Sequence, residues 1–283
     1  MTTRFISFLN PAGEPSFGIV DGDGVIDLGR REAAADLAGF IAAGGIAGAA
    51  KHAGAEPDHA LDAVTLLPVI PAPPRIICVG LNYRAHVAET GRPDSERPTI
   101  FLRLASSQVA HGAPMIRPRE SERFDYEGEL AVIIGKAGRR ISQADALDHV
   151  AGYSCYNDGS VRDWQKHTSQ WAPGKNFPST GAFGPWMIPA ADLPGRESCA
   201  LVTRLNGQEV QRATLSQMIF SIEELIAYAS IFTRLEPGDV IVSGTPGGVG
   251  DRRDPPLYMR DGDQVTVEID GIGMLSNPVA DEG

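Results

Sequence analysis

Cysteine is scarce and odd in number: Cys78, Cys155 and Cys199 are the three in 283 residues. They are too far apart for a CxxC zinc pair and cannot all pair with one another. Neither a disulfide framework nor a zinc ribbon follows, and a reducing cytoplasm is the expected setting. Positive charge is also short, with 25 Lys and Arg against 36 Asp and Glu and a formal net charge of −11. Such a surface gains nothing from a phosphate backbone, so no nucleic-acid partner is expected. The acid surplus does permit carboxylates gathered around a cation. Long hydrophobic runs are missing. The most lipid-like stretch, residues 37–50, is 14 residues with four glycines, against the roughly 20 apolar residues that a bilayer span needs. The first ten residues lack a basic segment followed by an apolar run, so no secretory signal is read and no membrane partner is expected. Aromatics are few, at 7%.

Glycine and proline are abundant, 32 and 21 residues, which suits many short strands joined by turns better than a helical bundle. Residues 5–8, 17–20 and 25–28 read as strands, separated by Asn10-Pro11-Ala12-Gly13 and Asp21-Gly22-Asp23-Gly24. An Ala-rich helix weakened by its glycines is expected over 32–50. Four prolines in residues 67–74 then form a stiff extended connector, which divides a small α+β unit (1–70) from a larger domain (71–283). In the larger part, strand signals at 76–80, 130–134, 152–156, 201–205, 240–242 and 264–269 alternate with Gly/Pro turns. Helical patterns are fewer, at 83–90, 143–150 and 222–233. There is no βαβ rhythm, so the expected class is α+β, mainly β.

Five segments carry candidate chemistry. In Tyr126-Glu127-Gly128-Glu129-Leu130 the period-two geometry of a strand puts Glu127 and Glu129 on one face. Two anions held that close need a cation, or one must take up a proton; otherwise this is a solvated edge strand. Asp158, at the end of the 152–156 strand, could add a third carboxylate; alternatively Asp158 and Asp163 cap a helix starting near Ser160. Three oxygen donors without a His or Cys pair suit Mg²⁺, or Mn²⁺ and Ca²⁺, better than Zn²⁺. His86 and Glu89 sit at i and i+3 of a helix, where a carboxylate fixes the imidazole tautomer and raises its basicity, as a water-activating base requires. A lone histidine is more often structural. Lys175 follows Gly174 in an apolar, Pro-rich segment and could steady an oxyanion. Residues 243–250, Ser-Gly-Thr-Pro-Gly-Gly-Val-Gly, are neither a P-loop nor GxGxxG, but their N–H groups and the Thr245 hydroxyl could bind a carboxylate.

Together these segments resemble the fumarylacetoacetate hydrolase family. The carrying motifs are Gly-Leu-Asn-Tyr-x-x-His-x-x-Glu (80–89), Tyr-Glu-Gly-Glu-Leu-Ala (126–131), Asn-Asp-x-Ser-x-Arg-Asp (157–163), Gly-Lys-x-Phe (174–177), Leu-Asn-Gly (205–207) and Ser-Gly-Thr-Pro-x-Gly-Val-Gly (243–250). The resemblance implies a mixed β-roll or sandwich catalytic domain, a divalent metal (usually Mg²⁺) and a homodimer. It makes Glu127, Glu129 and Asp158 the metal ligands, His86 and Glu89 the water-activating pair, and Lys175 a catalytic lysine near the metal. Arg162, Gln165, Tyr83 and Thr245 become substrate contacts. The fourth carboxylate ligand of longer relatives is replaced here by Asn82 and Tyr83, and residues 164–171 look inserted. The implied activity is hydrolysis of a C–C bond in a small 2,4-diketo acid, an acylpyruvate, in catabolism of aromatic or related compounds. The alternative is decarboxylation, isomerisation or hydration of a chelated 2-oxo acid of oxaloacetate or 2-hydroxymuconate type. A non-catalytic metabolite binder is disfavoured, because the histidine pair and the carboxylate set are both retained.

Overall fold

A computed structural model describes residues 2–283 except Ala53, Arg92 and Asp94. Its backbone is a twelve-stranded mixed sheet packed against a five-stranded one. Along the large sheet, His59–Ala60, Gly24–Asp27, Pro15–Asp21 and Arg4–Leu9 precede Gly181–Pro189, Val150–Asn157, Gly128–Ile134, Val240–Val242, Ile76–Gly80 and Thr99–Arg103; two short strands pair off this path. The second sheet runs Gln208–Thr214, Ala200–Leu205, Gln264–Ile269, Gly273–Asp281 and Met115–Arg117. The chain is a mainly-β α+β protein, as its turn-rich composition indicates.

The central Gly128–Ile134 strand is buried along its whole length, which explains why it reads as a continuous apolar run rather than an alternating one. Its alternate residues serve two cores. Leu130, Val132 and Ile134 meet Leu201, Val265 and Val267 of the second sheet. Ala131 and Ile133 face the other way and share a core with Phe5, Phe17, Leu37, Phe40, Val69 and Ile70. The N-terminal strands therefore extend the large sheet, with Phe5 opposite Met187, and bury their apolar faces against the larger region.

Helices are short. The expected helix over 32–50 is broken into Leu37–Ala42, Gly45–Gly48 and a 3₁₀ turn at Ala49–His52. Gly44 sits between the first two at φ 74°, a left-handed conformation that ends the first. The expected 143–150 helix is only a 3₁₀ turn, Ala146–His149, leading straight into the Val150–Asn157 strand. Arg84–Thr90 and Ile222–Phe232 form where the sequence indicates, the latter with a Ser221/Glu224 capping box.

Candidate active site

Register builds the carboxylate cluster. Gly128 pairs with Asn157 across antiparallel strands, and the Asp158 N–H donates to the Glu127 carbonyl at 2.8 Å. Asp158 thus lies beside Glu127, while Glu129 shares Glu127's face through period two. The three side chains are buried, with candidate ligand oxygens all within 4.8 Å of one another. The solvated-edge reading fails because this strand is central, and Asp158 is no helix cap because its carboxylate turns into the cluster.

Cations are shared unevenly over the three. Lys175 Nζ bridges Glu127 Oε2 at 2.7 Å and Asp158 Oδ2 at 2.6 Å. Arg162 reaches Glu127 Oε1 at 2.6 Å, and Arg103 holds Asp158 Oδ1. Among the described residues Glu129 has no cation; the Gly244 N–H donates to its Oε2. The protonation preferences follow. Burial would raise Glu127, but the adjacent Lys175 and Arg162 charges hold it well below the usual carboxylate range. Burial pushes Glu129 well above that range, and the Asp158 and Glu127 charges add to the effect.

A divalent cation would offset both the burial and the Asp158 and Glu127 charges that make ionised Glu129 unfavourable. An all-oxygen donor set with open positions suits a hard ion such as Mg²⁺ or Mn²⁺. The residues present therefore fit the metal, with Glu127, Glu129 and Asp158 to hold it.

The cluster opens into a cleft of about 340 Å³, lined by His86, Arg162, Gln165, Lys166, Trp171 and Thr245 among others; that is the size class of a small-ligand site. His86 Nδ1 lies 2.7 Å from Glu89 Oε1. Glu89 Oε2 accepts the Gly248 N–H at 2.8 Å, so the glutamate is fixed by the glycine-rich loop and in turn fixes the imidazole. With Nδ1 engaged, Nε2 is the nitrogen left for the cleft. Arg162 donates through Nε to Asp125 at 2.8 Å and through Nη1 to Gln165 Oε1 at 3.0 Å, while its buried Nη2 has no protein partner among the described residues. The Gln165 amide nitrogen remains for a ligand's oxygens.

Three of the expected residues are placed as follows. Tyr83 is buried and is not among the residues lining the cleft; its hydroxyl has no hydrogen-bond partner among the described residues. Thr245 lines the cleft, but its hydroxyl donates to the Gly128 carbonyl at 3.0 Å and accepts from Gln211 at 2.8 Å; it braces the carboxylate strand. Lys175 is engaged by two carboxylates. Asn82 is no ligand: its amide bonds the Ser243 carbonyl at 2.7 Å and the Phe220 backbone on both sides. Sequence reasoning missed Arg103 and Asp125. Asp125 accepts Arg162 and the N–H groups of Gly250 and Asp251. Arg103 carried one signal, a charge inside the apolar run Ile100-Phe101-Leu102-Arg103-Leu104.

The family model described as fumarylacetoacetate (FAA) hydrolase C-terminal matches residues 75–280. The chain belongs to this family. It is 44% identical over 218 residues (76% of this chain, 68% of the relative) to a Xenopus laevis protein named oxaloacetate tautomerase fahd2, mitochondrial. It is 42% identical over 226 residues (78% and 75%) to oxaloacetate tautomerase YisK of Bacillus subtilis strain 168. In structure it is similar to maleylpyruvate hydrolase from Sphingobium sp. SYK-6, solved with manganese(II) and pyruvate. That match has a TM-score of 0.83 at 27% identity and covers 99% of this chain and 100% of the other. The chain is thus an enzyme of the fumarylacetoacetate hydrolase superfamily. The expectation of hydrolysis is not carried by the sequence relatives, which are named tautomerases. Among the described residues no helix is long and apolar enough to cross a membrane, and animal relatives carry a mitochondrial label, so the cytoplasm is not established.

Proposed function

We propose that this enzyme interconverts the keto and enol forms of a small 2-oxo acid of oxaloacetate type, with Mg²⁺ or Mn²⁺ as cofactor. The observation that carries this is one imidazole, His86, held by Glu89 and lining the same cleft as Glu127 and Glu129 of the buried carboxylate cluster. When bound, the cation supplies Lewis-acid polarisation of the 2-oxo group, which acidifies the neighbouring C–H. The chain's residues do the rest. Arg162 and the Gln165 amide nitrogen, which line the cleft, receive the acid's carboxylate oxygens. His86 Nε2 takes the proton from C3 and returns it to the 2-oxo oxygen, so a C–H bond breaks and an O–H bond forms, with no net proton change. Glu89 keeps the imidazole in the tautomer that can do this. The names of the 44% and 42% identical relatives support the choice of acid.

A second reading, hydrolysis of an acylpyruvate C–C bond, is favoured by the likeness to the maleylpyruvate hydrolase and uses the same dyad to draw a proton from water. Monitoring the enol absorbance of oxaloacetate, alongside product analysis with an acylpyruvate panel, separates them. Catalysed enol decay without pyruvate release from the panel supports the first reading. Pyruvate release without enol decay overturns it.

The domain division is likewise proposed. Every residue lining the cleft lies within Val79 to Arg252, so 71–283 is the catalytic part and 1–70 its apolar cover. The homodimer implied by the family has a candidate face in Leu102 and Leu104, exposed beside the cleft.

A further inference from the structure

Arg103 ends an edge strand of the large sheet, yet its side chain is fully buried. Each nitrogen of the guanidinium is used. Nε donates to Ser107 Oγ at 3.3 Å, Nη1 to Asp158 Oδ1 and to the Gly159 carbonyl at 3.0 Å, and Nη2 to Thr180 Oγ1 at 2.9 Å. The surroundings are shaped to admit it: a Cβ on Gly181 would stand 2.8 Å from Nη2. Burying a guanidinium is costly unless its charge and donors are all met, and here the charge partner belongs to the carboxylate cluster.

We propose that Arg103 is a positioning residue for the divalent-cation site, acting through Asp158. By occupying Oδ1 and anchoring to Ser107 and Thr180, it sets the rotation of the Asp158 carboxylate, so that Oδ2 faces Glu127 and Glu129. Lys175 reaches the Oδ2 oxygen, so the two cations divide the aspartate between them. The planar fork matters as well as the charge, since a lysine ammonium has three donors and cannot serve the four acceptors on Ser107, Asp158, Gly159 and Thr180. This inference rests on the proposed cation site and concerns how tightly that site is held.

The test titrates Mn²⁺ into the full chain and into Arg103→Met and Arg103→Lys by calorimetry, with thermal unfolding of each. Groups that orient metal ligands typically matter about 10–100-fold in affinity. Arg103→Met should weaken Mn²⁺ binding by about tenfold or more, and Arg103→Lys by less. Excess Mn²⁺ should restore kcat in both, because Arg103 does not touch substrate. If Arg103→Met fails to fold, Thr180→Val removes the Nη2 anchor while keeping Arg103, at the cost also of the Thr180 bond to the Phe177 carbonyl, and weakened Mn²⁺ binding by the folded variant supports the proposal. A folded variant of lower Tm whose Mn²⁺ affinity stays within twofold of the parent's shows a merely structural role and overturns it. Failure of the parent to bind Mn²⁺ would instead remove the cation site, and with it this inference.

Discussion

Gly128 stands between two of the cluster carboxylates, and its substitution tests how the site is supported from behind. Its α-carbon faces the second sheet, away from Glu127 and Glu129. A Cβ built there would lie 2.0 Å from Thr203 Oγ1 and 3.3 Å from both Val267 methyls. Ordinary contact begins near 3.4 Å, so Gly128→Ala demands a shift of well over an ångström between packed sheets. Thr203 can relieve the contact only in the one χ1 rotamer that turns its hydrogen toward the new methyl, and a β-branched side chain is restricted at χ1. Overpacking of this kind costs about 1–3 kcal/mol, which for a chain of this size lowers Tm by roughly 2–4 °C per kcal/mol. The strand must also move, and with it both glutamates, so Mg²⁺ affinity falls too. Thr203 offers a control, because its buried hydroxyl has no hydrogen-bond partner among the described residues. Thr203→Ala alone should therefore cost little, and the double variant should recover most of the stability lost in Gly128→Ala. Thermal unfolding of the three variants, with Mg²⁺ titration, decides. A Gly128→Ala protein as stable as the parent, or a double variant no better than the single, would refute the reasoning.

Other outcomes can be checked the same way. His86→Ala should lower turnover about a hundredfold or more with Mg²⁺ affinity unchanged, since general-base catalysis contributes about 10²–10⁴; a parallel loss of metal binding would move His86 into the ligand set. Asp125→Asn, which weakens the buried contact to Arg162, should raise KM more than kcat falls, and unaltered KM would free Arg162 from substrate binding. Asp251 works against its burial: hydrogen bonds from Lys166 and Tyr258 and the nearby Arg162 hold its carboxyl below the ordinary value. Because its folded pKa is depressed, its contribution is present above the unfolded pKa near 4 and is lost as pH falls through the folded value. Asp251→Asn should therefore flatten the loss of Tm below about pH 4, and an unchanged acid limb would contradict this.

What could be read from the sequence was local in origin. The carboxylate pair was legible because strand alternation places Glu127 and Glu129 together whatever surrounds them, and His86 with Glu89 because helix spacing does the same. Asp158 joined them through the register of two strands, which the sequence marks only by ending one apolar run in an acid. The helix over 32–50 was misjudged because composition outweighs Gly44 in a pattern reading, whereas in the chain one left-handed residue ends a helix. Residues 143–150 look helical by apolar spacing, but Val150 is claimed by the neighbouring strand at Ile134. The pairings of Arg103 and Asp125 were not legible, because their partners lie 55 and 37 residues away, and such distant pairing leaves no periodic trace. The N-terminal strands pair with the large sheet and bury their apolar residues against it.

The central claim is that Glu127, Glu129 and Asp158 together hold one divalent cation, and Glu129→Gln tests it most directly. Burial already favours the uncharged side chain at this position, so the amide should fold normally. Calorimetric titration with Mg²⁺ and Mn²⁺ should show one site per chain in the parent protein and binding weakened at least about tenfold in the folded variant, as expected on losing a ligand charge. Parent-like affinity in Glu129→Gln would contradict the account.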